Sequence, residues 1–474
     1  MLKMRPFLAS VALAAFVSAI PIKVSADDFV IDVPVTDTNG GNTVDGDDTI
    51  TVTENGSITT TPDNTSGIDA IGTDNTVDNR GTITTQGNAS HGVAIDNDSV
   101  VVNSGTITTS GDSAFGISSL LRNTITNTGT IITTGSSTFG ISILQNSIVT
   151  NTGSISSSGN SGFGIGGQSN NTIVNYGSIA TEGTVAAGID VDNFNVVTNF
   201  GTITTLGTTS FGIFSLSNNT ITNAGTIDTQ GNNADGIAAD DDNTIVNSGS
   251  VITRGSSSDA ILADDDNVVQ NLGTIETIQD NSDGIDADHD NVIFNAGTII
   301  VRGEFSDGIF AGQRNTINNT GLISTQDNGS DGILTGGNDN ILLNSGSIRT
   351  EGGSSDGLAL PTNNNTVTNS GLIVASQARS VFIDGSDNLL NLLAPSFLGG
   401  DIDLGTNTTV NITSGPSHSF LWDLSDGTMV GGAPSLSGPV PIFYNAATQQ
   451  VATFDPTGLA GSANAFADLT AGIS

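Results

Sequence analysis

Aliphatic residues return along this chain at a fixed interval. One column runs Val77, Val101, Ile125, Val149, Ile173, Val197, Ile221, Ile245, Val269, Ile293 and Ile317 at a spacing of 24, then Leu342 and Val367 at 25. A second begins at Ile83, Ile107 and Ile131 and reaches Ile373; a third begins at Val93, Ile117 and Ile141 and reaches Leu358. Around the second column, Gly81-Thr82-Ile83-Thr84-Thr85 alternates polar and apolar, the period-two signature of a half-buried strand. Three columns per period predict three short strands per coil. A unit this small cannot bury its apolar face alone and must stack on its neighbours. The expected fold is all-β, a parallel β-helix solenoid of about fourteen coils over residues 55–393, roughly 65 Å long at about 4.8 Å per coil.

Polar columns share the period. Asn79, Asn103, Asn127, Asn151, Asn175, Asn199, Asn223, Asn247, Asn271, Asn295, Asn319, Asn344 and Asn369 each precede x-Gly. An amide both donates and accepts, so stacked asparagines are expected to form a hydrogen-bonded ladder. Glycine recurs just before the third aliphatic column, at 92, 116, 140, 164, 188 and 212 among others, with Ala260 as one exception. Positive φ or close backbone approach would demand it there.

The position before that glycine changes character midway. It holds Phe115, Phe139, Phe163 and Phe211, then Asp235, Asp259, Asp283, Asp307, Asp331 and Asp356. If it points outward, the first half offers rings for a glycan or protein partner and the second half a row of carboxylates; the alternative for the rings is packing at a corner. A further acidic set places Asp240, Asp241 and Asp242 against Asp264, Asp265 and Asp266, and these against Asp288, His289 and Asp290. Like charges in adjacent strands repel. Either water screens them, or hard cations such as Ca²⁺ bridge Asp240, Asp242, Asp264, Asp266, Asp288 and Asp290. Asp286, Asp288 and Asp290 imitate the start of an EF-hand loop, but Asn291 stands where glycine is required and Gly297 where the final glutamate belongs.

Composition narrows the functional classes. With 10 Lys plus Arg against 48 Asp plus Glu, a net charge of -38 argues against a nucleic-acid partner. The absence of cysteine removes disulfides, thiolate metal sites and thiol nucleophiles. Gly353-Ser354-Ser355-Asp356-Gly357 spells a nucleophile elbow but falls at a coil corner with no helix pattern after it. His91, His289 and His418 lie in separate regions, and neither a zinc-binding helical pair nor a phosphate-cradling loop occurs. No catalytic residue and no cofactor are assigned. A carboxylate pair of the sugar-cleaving type is the enzymatic alternative.

Lys3 and Arg5, the apolar stretch from Phe7 to Ile22, and Val24-Ser25-Ala26 read as a cleavable secretory signal over residues 1–26, with an uncleaved anchor as the alternative. Residues 27–54 are expected to lead in to the coils. Residues 394–443, with Pro395, Pro416, Pro434, Pro439 and the sole tryptophan, Trp422, read as a β cap. Residues 444–474 form a junction containing Val451-Ala452-Thr453 and Asp455-Pro456-Thr457-Gly458, then a helix through Phe466 and Leu469.

The leader, the Asn-x-Gly-Thr-Ile coils and this junction together resemble the passenger region of a bacterial autotransporter, the type V secretion family. That resemblance implies a right-handed β-helix, a C-terminal cap that assists folding, and export through the inner membrane to the surface or surroundings of a Gram-negative cell. It also implies an outer-membrane β-barrel translocator, which is absent from this chain, since the sequence ends at Ser474 where such a barrel would begin. The leading functional expectation is a non-enzymatic adhesive or structural surface protein that uses its ladders for multivalent contact with host or matrix glycan or protein. A polysaccharide-acting enzyme and an inert stalk are the rivals. Near-constant coil length favours the stalk over the enzyme, because catalytic loops usually enter as insertions.

Overall fold

The computed structural model describes residues 26–424, 426–429 and 433–454. The expected leader up to Ser25 and the junction beyond Phe454 lie outside the described residues. Three strands make one coil, as in Val196–Asn199, Thr202–Thr205 and Ile213–Ser217. Each pairs in parallel with its equivalent one period on: Val197 with Ile221, Ile203 with Ile227, Ile213 with Ile237. The three resulting stacks are the first, second and third faces of an all-β parallel solenoid. It has about 17 turns, somewhat more than the fourteen expected, because stacking extends at both ends. Asp28–Ile31 already pairs with Thr49–Val52, and Phe397–Thr413 continues the sheets past residue 393. At about 4.8 Å per turn the rod is roughly 80 Å long.

The three aliphatic columns point inward, and Val197, Ile203 and Ile213 are fully buried with their equivalents in one continuous core. Thr205, also buried, donates its hydroxyl to the Ser210 carbonyl at 2.6 Å and so ties the end of the second face to the corner that follows.

Inside the first face runs the asparagine ladder. Asn175 Nδ2 donates to Asn199 Oδ1 at 2.8 Å and Asn199 Nδ2 to Asn223 Oδ1 at 2.8 Å, and the series continues link by link from Asn79 to Asn369. Its ends show what the interior gains. Asn79 Oδ1 is buried without a hydrogen-bond partner, because Val52 occupies the equivalent place one coil earlier. At the other end Asn369 Nδ2 donates to Ser396 Oγ at 3.2 Å.

A second polar ladder, not singled out in the sequence, turns the corner between the third and first faces. Asn195, Asn219, Asn243 and Asn267 are buried there; Asn219 N–H donates to Asn243 Oδ1 at 2.9 Å, while Asn219 Nδ2 donates to the Asp192 carbonyl at 2.7 Å. Ser99 and Ser147 replace asparagine in two coils.

Of the two reasons offered for the corner glycines, close approach is the operative one. A Cβ on Gly212 would collide with Ile227 Cγ2 and with the Gly236 carbonyl of the next coil. Positive φ falls instead on non-glycine residues that recur once per coil at two corners, including Val185 (φ 54), Phe194 (φ 58) and Asp242 (φ 57). Such conformations are unfavourable for a β-branched side chain and persist here because the stack dictates the corner.

Beyond the solenoid, Phe420–Asp423, Gln450–Thr453 and Ile442–Asn445 form a three-stranded antiparallel sheet. Trp422 is buried in it and stacks on Phe420 with ring centroids 3.7 Å apart. Trp422 and Val451 of this sheet join the buried cluster of the solenoid.

Replacing Asn199 with alanine removes a donor to Asn223 and an acceptor for Asn175 within a dry core, at an expected cost of about 1–3 kcal/mol. Urea unfolding should show a lower midpoint than the parent chain. An unchanged midpoint would mean that the ladder contributes nothing.

Candidate contact surface

The column before the corner glycine lies between the second and third faces, and its side chains do not project: the four phenylalanines are half-buried, and most of the aspartates that follow are buried. His91 Nδ1 accepts the Phe115 N–H at 3.0 Å, and its ring lies 4.8 Å from that of Phe115. Burial lowers the His91 pKa to about 4, which keeps the acceptor nitrogen unprotonated. Phe115 meets Phe139 edge to face at 5.1 Å, and Phe139 stacks on Phe163 at 5.0 Å. The fourth expected member is separated from these, because Ala187 occupies the intervening coil. Phe211 stacks instead on Phe214, an outer residue of the third face, at 5.5 Å.

More outward rings occur where no column announces them. Tyr176 and Phe200, the middle residues of Asn175-Tyr176-Gly177 and Asn199-Phe200-Gly201, stack at 5.0 Å with planes 7° apart. They remain 55% and 49% exposed, so together they offer a flat aromatic surface to solvent. The signal was present as two adjacent aromatics at a position held mostly by small residues in other coils.

In the second half the same column becomes a chain of carboxylates bonded to backbone. Asp259 N–H donates to Asp235 Oδ1 at 2.8 Å, Asp283 N–H to Asp259 Oδ1 at 2.6 Å, and Asp331 N–H to Asp307 Oδ1 at 2.7 Å. Asp235, Asp259, Asp307 and Asp356 are buried. The series ends at Arg379, whose Nη2 meets Asp356 Oδ2 at 2.7 Å and whose Nη1 reaches Asp403 at 3.1 Å. Desolvation raises the carboxyl pKa of Asp235 to about 7, Asp283 to about 6 and Asp331 to about 7, and lifts Asp259 and Asp307 with further help from neighbouring charges. Asp286 beside them is pushed to about 8 by burial and by Asp283 and Asp288.

The other acidic set lies further along the third face. Asp241, Asp265 and His289 stand in register, with His289 Nδ1 3.1 Å from Asp265 Oδ1. Asp242, Asp266 and Asp290 take positive φ at the following corner, and Asp290 pairs with Arg314 Nε at 2.8 Å. Asp240, Asp264 and Asp288 are half-buried on the strand itself. Among the described residues no group of three His, Cys, Asp or Glu side chains converges closely enough to hold a metal ion. The elbow-like Ser355 is buried and donates to the Asp327 carbonyl at 2.8 Å, which is a corner role.

A carboxyl whose folded pKa lies above its unfolded value binds more protons folded than unfolded between the two, so stability falls as pH rises through that window. For the aspartates above, the window runs from the ordinary value near 3.8 up to about 7 or 8. His91, lowered by burial, opposes the trend only below its ordinary value of 6.5. Stability should therefore decline from about pH 6.5 to about pH 8. Urea midpoints measured across that range test this; Asp259→Asn should raise the midpoint at the alkaline end and flatten the profile, and a midpoint rising with pH would contradict the assignment.

A family model described as the BigA third pectate lyase-like domain matches residues 48–250 and again 227–336, together more than half of the chain. Among solved structures, a chain of the complex described as "The cryo-EM structure of the Vag8-C1 inhibitor complex" is similar over 87% of this chain and 99% of that one, with a TM-score of 0.52 and 15% identity. A search of the curated proteins found no match. At that identity the structural likeness speaks for fold, and it agrees with the resemblance drawn from the leader, coils and junction. The chain belongs to the BigA third pectate lyase-like domain family.

Proposed function

We propose that this chain is a secreted surface passenger of a Gram-negative bacterium, adhesive rather than enzymatic, that engages a protein or glycan partner along its length. The observation that carries the reading is the constancy of the coils. Successive strands stay in register one period apart through the repeats, with no inserted loop to build a cleft. Surface chemistry is accordingly confined to stripes, and the Tyr176–Phe200 pair is the most exposed stacked aromatic surface among the described residues. Aromatic anchors of this kind dominate contact energies in protein interfaces. The fold neighbour comes from a complex with C1 inhibitor, which gives precedent for a protein partner on a related scaffold without naming the partner here. The pectate lyase-like description of the family keeps the polysaccharide-acting enzyme as the rival.

Arrays of extracellular-matrix proteins and glycans, probed with the purified chain, test the proposal. Binding is expected, and changing both Tyr176 and Phe200 to serine should weaken it about ten-fold or more. Cleavage of polygalacturonate by the chain would replace the proposal with the enzymatic reading. Silence on every array would favour the inert stalk.

A further inference from the structure

The interruption of the ring column at Ala187 leaves a vacancy in the third-face corner. Two coil rises separate Phe163 from Phe211, about 9.6 Å, where continuous stacking would have placed another ring between them. Only the Ala187 methyl stands in that place. The resulting recess, of about 20 Å³, is lined by Phe163, Phe211, Phe214, Asp190, Val185 and Thr209 together with Ala187 itself. A volume of that size admits one group as large as a water molecule.

Asp190 is the charged member of this lining. It sits on the outer side of the strand Ile189–Asn193, in register with Gly166 on one side and Phe214 on the other, yet it is only 6% exposed because the neighbouring rings cover it. Burial and the neighbouring Asp192 both disfavour its charge, and no hydrogen bond to its carboxyl is found among the described residues. A carboxyl so nearly buried, with no donor beside it, is favoured by a cation that could reach it. The contrast with the acidic ladder is direct: Asp235, Asp259 and Asp307 each receive a backbone N–H, whereas Asp190 receives none.

We propose that this recess is a binding site for a primary ammonium group, presented by a lysine side chain of a partner protein, with Asp190 as the counter-ion and Phe163, Phe211 and Phe214 as the aromatic walls. Ring faces attract cations, and the attraction strengthens when water is displaced. Size selects the primary ammonium over a trimethylated one, since the recess takes a single water-sized group. The net charge of -38 raises the local concentration of any cationic partner. The site stands whether or not the passenger is adhesive, because it rests on the geometry of this corner alone.

Binding is linked to protons. Burial, with a smaller contribution from Asp192, raises the Asp190 pKa to about 7, and Asp192 itself is raised to about 6 by burial. The ammonium keeps its charge throughout the neutral range. Affinity should therefore grow as pH rises through about 7, where a cation no longer competes with a proton for Asp190.

The test titrates the full chain with Nα-acetyl-lysine-N-methylamide by saturation-transfer NMR, with the Nε-acetylated compound as the uncharged control. One ammonium contact should give a dissociation constant on the order of 1 mM at about pH 8. Asp190→Asn should weaken it about ten-fold, and Ala187→Phe should abolish it by restoring the missing ring. Circular dichroism melts establish that each variant is folded; should Ala187→Phe fail that check, Ala187→Leu takes its place. Equal binding of the acetylated control, undiminished binding to Asp190→Asn, affinity that falls from about pH 6 to about pH 8, or no binding by the parent chain would each overturn the proposal.

Discussion

In-register parallel stacking makes every side chain its own neighbour, and the rest of the structure answers to that constraint. A residue that suits a column must suit a copy of itself one coil away. Isoleucine does so by packing, which is why Ile83, Ile107, Ile131 and Ile155 form an unbroken buried line. Asparagine does so by chemistry, since its amide supplies both the donor and the acceptor that the next amide needs. Glycine at the corner between the second and third faces does so by absence, because the next coil's carbonyl occupies the space that a Cβ would take.

Aspartate is the residue that fails this condition. An ionised carboxylate accepts but cannot donate, so two stacked copies repel where two amides bond. The chain meets the difficulty in three ways within one molecule. The ladder from Asp235 to Asp331 points each carboxylate at the backbone N–H of the following coil and holds raised pKa values that favour the protonated form. At its end Arg379 supplies a partner charge to Asp356. On the outer corners Asp98 and Asp290 pair with Arg122 and Arg314, and those arginines hold their carboxyls below the usual range. The exposed pairs contribute little to stability, since solvent screens them; the buried ladder carries the larger electrostatic cost.

The regular part of this architecture was legible because period and alternation are written directly in the sequence. Strand identity, parallel stacking and the inward asparagines follow from columns that repeat without exception over many coils. Corner residues were less legible. Alternation assigns a side to a residue within a strand, but it says nothing once the chain turns, so the direction of Phe115 or Asp259 could not be read from its neighbours. The structure leaves Phe115 half-buried and buries Asp259. The positive φ values illustrate the same limit: sequence reasoning looks for glycine at such positions, whereas here Val185 and Phe194 are forced into them by the stacked corner. The Asn219 ladder is less legible because serine alternates with asparagine in its early coils, at Ser99 and Ser147, which blurs the repeat.

A stack that fixes the neighbours of every residue also limits where new chemistry can arise. The coils vary by little more than a residue, as where the spacing lengthens to 25 at Leu342 and Val367 with the stacks still in register, so the main change along the rod is substitution within a column, and its effect reaches one coil on either side. Replacing a ring by Ala187 opens a space bounded by Phe163 below and Phe211 above without disturbing the flanking Ile165, Ile189 and Ile213, all of which remain fully buried. Replacing small residues by Tyr176 and Phe200 adds a ring pair outside while Asn175 and Asn199, immediately beside them, keep their 2.8 Å bond inside. Core and surface are thus separated by a single peptide unit. That separation is what allows a rod of nearly uniform section to carry a contact surface that is not uniform.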